Sequence, residues 1–328
     1  MKKLLGVSIA GALLLLAPLL WLLWQAAASH QLTTAVQLMV PKGASTIKIG
    51  RMLHEQDVIE SVLAFRLAAR LKGVSAGLKS GLYHFEGEAS INAVLDRLER
   101  GDVMQFQVTV PEGLRNDEIV MLLGEKTGID MAIWNAELKK LLPDHAEGRL
   151  LPETYQYTKP LKTAELLNSM LKAQQKVLNT LSSDPAVQQQ IRIAASIIEK
   201  ETMLEHERPL VSAVIRNRLQ KRMPLQMDPT VIYGIWKTTG SFSGDIRKKD
   251  LSFDTPWNSY TRRGLPPTPI GNPGTASLKA AAAPADVDFL FFVADGTGGH
   301  KFATTHEGHL ANVEQWIKIE RKKNRENR

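Results

Sequence analysis

The sequence predicts an α+β protein in three parts: an N-terminal transmembrane helix, a small α+β module and a larger mixed α+β domain. Three observations predict it. An uncharged, mostly apolar run follows Lys2 and Lys3. Short stretches of strand-like alternation then interleave with segments of helical period, and a Val-Pro-x-Gly turn occurs twice, at Val40–Gly43 and Val110–Gly113. The expected boundaries are 1–28 for the anchor, 35–112 for the module and 113–328 for the larger domain.

The first element is Leu4–Trp24, 21 residues without a charge. As a helix rising about 1.5 Å per residue it spans ~31 Å, close to the ~30 Å hydrocarbon core of a bilayer. Trp21 and Trp24 near its outer end suit the interface, and the leading lysines put the N-terminus in the cytoplasm. A cleaved signal peptide with Ala26-Ala27-Ala28 as its cleavage site is the competing reading, but the apolar stretch exceeds the usual ~7–15 residues.

Residues 29–34 read as a short polar connector. Val36, Leu38 and Val40 then alternate against Gln37 and Met39 as a strand, and Ser45 is placed to cap a helix running to Leu53. Helical spacing recurs over Val62–Leu71 and Ile91–Arg100, on either side of Gly81-Leu82-Tyr83-His84-Phe85. Phe106, Val108 and Val110 alternate as a further strand, with a helix capped near Asn116 beyond it. Residues 160–195 are helical with a break at Ser182-Ser183-Asp184-Pro185. Residues 224–275 are rich in Pro, Gly, Thr and Asn, the composition of specified loops that carry function on a rigid scaffold. A helix over Ser277–Ala283 stops before Pro284, Phe289–Ala294 reads as a buried strand, and the charged tail from Lys318 reads as a solvated helix end.

Charge distribution weakens a nucleic-acid partner. The net charge is +7, but Lys318–Arg328 contributes +4 and Lys2 with Lys3 another +2, leaving about +1 for the body, where a phosphate-binding face would need it. The absence of cysteine excludes disulfides, thiolate zinc sites and a cysteine nucleophile. The spacing of His300, His306 and His309 matches no helical zinc pair. No Gly-x-Ser-x-Gly elbow and no phosphate-cradling Gly-x4-Gly-Lys run occurs, so neither a serine hydrolase nor a cofactor is implied.

The chemistry concentrates around Glu199. Ile191, Ala195 and Ile198 form a buried stripe, and Glu199 lies at its edge while Glu201 falls on nearly the opposite face. Partial desolvation would raise a carboxyl pKa, the condition for donating a proton near neutrality. On periodicity alone an ion pair with a base such as Arg208 is the alternative. Downstream, Gln226, Asp228, Tyr233, Trp236, Trp257, Asn258 and Tyr260 offer the amides, hydroxyls and flat rings that suit a sugar. The alternative is that the aromatics are core, and Asp228 is expected to cap a helix over Pro229–Trp236 in either case.

Four blocks in order, Ala195–Thr202, Leu225–Gly234, Gly264-Leu265-Pro266-Pro267 and Phe292–Phe302, resemble the endolytic murein transglycosylases of the YceG-like (MltG) family. Both Val-Pro-x-Gly turns, Lys79–Tyr83, and Glu147-Gly148 with Leu151–Tyr155 belong to the likeness. The resemblance implies a LysM-like module over 35–112, a catalytic domain over 113–328 and an anchor in the bacterial inner membrane, with the enzyme facing the periplasm. It implies Glu199 as the catalytic acid/base and Gln226, Asp228, Tyr233, Asn258, Tyr260 and His300 as substrate-binding positions. Peptidoglycan glycan strands would be the substrate, penicillin-binding proteins or other peptidoglycan synthases the partners. Arg149-Leu150 stands where aromatics often follow Glu-Gly, and Leu310 where an asparagine can occur, which affects substrate contacts and not the glutamate.

Overall fold

The computed structural model describes residues 16–143, 147–242 and 244–326. It is α+β, with helices dominating and the strands gathered into two-stranded antiparallel or ribbon-like pairs. The chain divides into two compact units, one of residues 1–107 and 156–161, the other of 108–155 and 162–328. Residues 4–15 of the expected membrane span lie outside the described residues. The remainder is helical over 16–27 (α1), and it exposes Leu20, Trp21 and Trp24. Among the described residues no helix is long and apolar enough to cross a membrane.

In the first unit β2 (Val36–Val40) and β3 (Gly81–Phe85) pair antiparallel, Val36 opposite Phe85 and Val40 opposite Gly81. Alternation decides which faces are buried: Leu38, Val40, Tyr83 and Phe85 point into the core while Gln37 and Met39 point out. Three helices cover that face, α2 (Thr46–Glu55), α3 (Val62–Leu71) and α4 (Ile91–Arg100). Each begins at a serine (Ser45, Ser61, Ser90) whose hydroxyl accepts a backbone N–H of the first turn. α4 buries Ile91, Val94, Leu95 and Leu98 at helical spacing and stops at Gly101, which adopts the left-handed conformation at φ 77°. Residues 29–31 are not a connector. They form β1 (Ser29–Gln31), paired antiparallel with β4 (Glu88–Ser90), a partner too distant in sequence for local pattern to reveal.

The chain leaves and re-enters the first unit through β5 (Gln105–Thr109) and β6 (Thr154–Thr158), which pair. Within the first unit Phe106 stacks on Tyr157 at 5.6 Å, and Leu82 N–H donates to Lys159 O.

The second unit is built on α8 (Pro185–Glu201), whose Asp184 cap accepts Ala186 N–H. Nearly its whole circumference is buried over the last three turns: Ile191, Ile193, Ala195, Ile197 and Ile198 are all withdrawn from water. These apolar side chains make α8 the core helix of the unit, and each contributes about 1.5–3 kcal/mol on full burial. Packed around it are α7 (Thr163–Leu181), α9 (Arg208–Gln220), α10 (Asp228–Thr239) and α11 (Thr275–Ala282). α5 (Asn116–Thr127) and α6 (Met131–Leu141) pack on each other and, through α6, on α7. The run expected as a buried strand is β7 (Phe291–Ala294), only half-buried and paired with β8 (His300–Ala303). Phe289, Phe292 and Phe302 close that ribbon onto the core around Ile197 and Ile198. α12 (His306–Glu326) carries the exposed basic tail.

Candidate active site

Glu199 lies in the last turn of α8, and Arg208 opens α9 after a short turn. That turn is fastened by Glu207. Its buried carboxylate accepts from Thr202 Oγ1 at 2.9 Å and from His300 twice, through the backbone N–H and Nδ1, both at 2.7 Å. Burial alone would raise the Glu207 pKa, but these hydrogen bonds outweigh it and hold the carboxyl low. The strap fixes Arg208 beside Glu199, with Nη2 at 3.2 Å from Oε1. The other Glu199 oxygen accepts Gly274 N–H at 2.8 Å. The ion pair left open by periodicity is therefore present, and the Glu199 side chain is 5% exposed.

A second carboxyl, Glu112, joins this pair from the Val110–Gly113 turn. The same Arg208 Nη2 reaches its Oε2 at 3.3 Å, and its own side chain is 45% exposed. Burial, then the neighbouring Glu199 charge, push the Glu112 carboxyl up from its ordinary range. Sequence reasoning missed Glu112 as a site residue, because nothing local marks a glutamate in a turn as the neighbour of an arginine 96 positions away. The turn is held by Asn272, fully buried, whose Nδ2 donates to Leu114 O at 2.9 Å and whose Oδ1 accepts Leu150 N–H at 2.8 Å. Asn272 exchanges backbone bonds with Gly113 and Leu114 as well, at 2.8 Å each. Gly148 allows this approach: its φ is +76°, and a Cβ there would lie 2.4 Å from Pro269 Cβ.

The other predicted positions divide. Tyr260 donates its hydroxyl to Asp228 Oδ1 at 2.5 Å, and Gln226 Oε1 accepts from Arg218 at 3.1 Å. Gln226 takes an unusual left-handed φ of 55°, fixed by bonds of its segment to Ser259. Asp228 does not cap α10. Met227 occupies the cap position and Asp228 is the first helical residue, its carboxyl drawn to Tyr260 instead. Tyr233 packs against Trp236 and Trp257 at 5.6 and 5.4 Å. With Trp236, Ile232, Arg115 and Lys200 it lines a cavity of about 370 Å³, and the Arg115 guanidinium lies 3.9 Å over the Trp236 ring. Asn258 is fully buried. Its amide donates to Leu251 O and Phe253 O and accepts Tyr260 N–H, so it shapes the loop that presents Tyr260. His300 likewise spends its Nδ1 on Glu207.

Glu201 differs from what its helical position suggests. Its Oε1 is buried without a hydrogen-bond partner, and burial, reinforced by Asp228, pushes its pKa up to about 8. Glu147, bonded to Asn116 N–H, is pushed by burial up to about 7. Both carboxyls keep a proton in the folded chain that they lose at about 4.5 when unfolded, so they remove stability as pH rises from that value toward 8. Glu201→Gln should therefore raise Tm by a few degrees at pH 8–9 and change it little at pH 5. Equal effects at both pH values in a thermal melt would contradict the assignment.

The YceG-like family model matches residues 38–315. The chain is 31% identical over 318 residues to a Bacillus subtilis protein named endolytic murein transglycosylase, covering 88% of this chain and 87% of that one. A protein of the same name from Streptococcus pneumoniae serotype 2 is 27% identical over 322 residues, covering 86% of this chain and 58% of that protein. A crystal structure of a YceG-like protein from Listeria monocytogenes superposes with a TM-score of 0.53 at 26% identity, over 85% of this chain and 99% of that one. The fold and site are those of an α+β protein with paired carboxyls at a helix end. The chain belongs to the YceG-like family.

Proposed function

We propose that this protein is an endolytic peptidoglycan lytic transglycosylase that cleaves MurNAc-β-1,4-GlcNAc bonds and leaves 1,6-anhydroMurNAc ends. The observation that carries the reading is the carboxyl of Glu199, fixed at the end of α8 by Arg208 and Gly274 N–H, in a chain whose relative over most of its length bears that activity in its name. Glu199 in its protonated form donates to the glycosidic oxygen. The resulting carboxylate takes the proton of the muramyl C6 hydroxyl, which closes on the anomeric carbon. One side chain thus serves as acid and base in turn, and the substrate supplies the nucleophile, so the reaction needs no second carboxylate across the bond. Gln226, Asp228, Tyr233 and Tyr260 are assigned to the saccharide groove. Asn258 and His300 are assigned to holding its walls.

The first unit is read as a LysM-like glycan-binding module and the apolar N-terminal run as a single inner-membrane anchor. That anchor places the active unit in the periplasm, where strands leave the peptidoglycan synthases and their elongation can be ended. Mass spectrometry of uncrosslinked glycan digested with the full chain tests the reaction. Anhydro ends are the expected product. Reducing ends, heavier by one water, would instead make the enzyme a muramidase with Asp228 as the candidate base.

A further inference from the structure

Glu112 and Glu199 share two neighbours. Arg208 Nη2 donates to both, at 3.3 and 3.2 Å. The Gly274 backbone touches both as well: its N–H bonds Glu199, and a Cβ there would fall 1.7 Å from Glu112 Oε1. A single guanidinium faces two carboxyls, and one shared proton brings the three groups to neutrality. Both Glu199 oxygens meet fixed donors, whereas the more exposed Glu112 meets Arg208 through one oxygen.

We propose that Glu112 is a positioning residue for the acid/base cycle of Glu199, holding the proton of the pair at rest and passing it to Glu199 for catalysis. This rests on the assignment of Glu199 made above. In the step, the O–H bond of Glu112 breaks and an O–H bond forms on Glu199, leaving Glu112 as a carboxylate against Arg208. Glu199 gives that proton to the glycosidic oxygen and takes the C6 hydroxyl proton, which returns to Glu112 as product leaves. One proton circulates and no co-reactant is consumed. The raised Glu112 pKa agrees with this resting state. The charged groups around Glu112 are Glu199 and Lys200 from α8, Arg208 from α9, and Glu153.

The test is the pH profile of kcat/KM for the full chain on uncrosslinked glycan strands. Glu112→Gln cannot store the proton, so Glu199 would have to take each one from solvent. Activity at pH 7 should fall at least about tenfold and the alkaline limb should move at least about one pH unit to the acid side, with recovery at low pH. Glu112→Asp should keep the limb near its wild-type position. A Glu112→Gln profile that superposes on wild type overturns the proposal. So does a folded Glu112→Gln enzyme that is inactive at every pH, because a proton store can be bypassed in acid. Should Glu112→Gln not fold, a ¹³C-carboxyl titration of the wild-type chain decides: one proton kept by the pair at pH 7 supports the proposal, and two ionised carboxylates overturn it. Activity retained by Glu199→Gln would sink the underlying assignment instead, whatever Glu112→Gln does.

Discussion

Replacing Glu199 with Gln should abolish glycan cleavage, lowering the rate by at least about 10³-fold, while leaving a folded protein. General acid and general base steps each contribute about 10²–10⁴-fold, and the proposed mechanism gives both to one carboxyl. The amide is nearly isosteric and can still accept from Arg208, but its nitrogen would meet the Gly274 N–H donor to donor. That loss is about 1 kcal/mol, and Arg208 retains Glu112 as a partner. The measurement is anhydro-end release beside a thermal melt. A variant with near wild-type release would remove Glu199 from the mechanism, and one that fails to melt cooperatively would show that the pair is needed for folding.

Asn272→Ala should cost about 3 kcal/mol or more, lowering Tm by roughly 6–12 °C. The side chain supplies buried bonds to Leu150 N–H, Leu114 O, Asn116 Oδ1 and Glu147 Oε1. Removing it orphans a buried N–H and frees the turn that carries Glu112. Asn272→Asp should be no better near neutrality, because it sets a carboxylate against Glu147 and the Leu114 carbonyl. Chemical denaturation measures both. A change below about 1 kcal/mol for the alanine variant would mean that the loops are held by their backbone bonds alone.

What the sequence made legible follows the range of the interactions. Ser45, Ser61 and Ser90 announce helix starts within three residues, and Gly101 announces a stop, so the helices of the first unit could be placed from pattern. The strand β1 could not, because its pairing to β4 is the only reason residues 29–31 are extended. In the second unit the stripe around Ala195 located Glu199. The partnership with Glu112 and the clamp by Asn272 depend on contacts across 96 and 158 positions, which no window of sequence contains. Asp228 illustrates a different limit. Its residue type and place fit a helix cap, but a tyrosine hydroxyl from a distant loop competes for the same carboxyl. Asn258 and His300 were marked by the family pattern, and their buried bonds tie that pattern to loop architecture.

The return of residues 156–161 to the first unit bears on how the chain is made. With Phe106 stacked on Tyr157 and Leu82 bonded to Lys159, that unit lacks a strand and part of its cover until the ribosome has released residue 161. A nascent chain halted at residue 107 would present an unpaired β5 edge. A protease or a chaperone that reads such edges would meet the first unit before it could close.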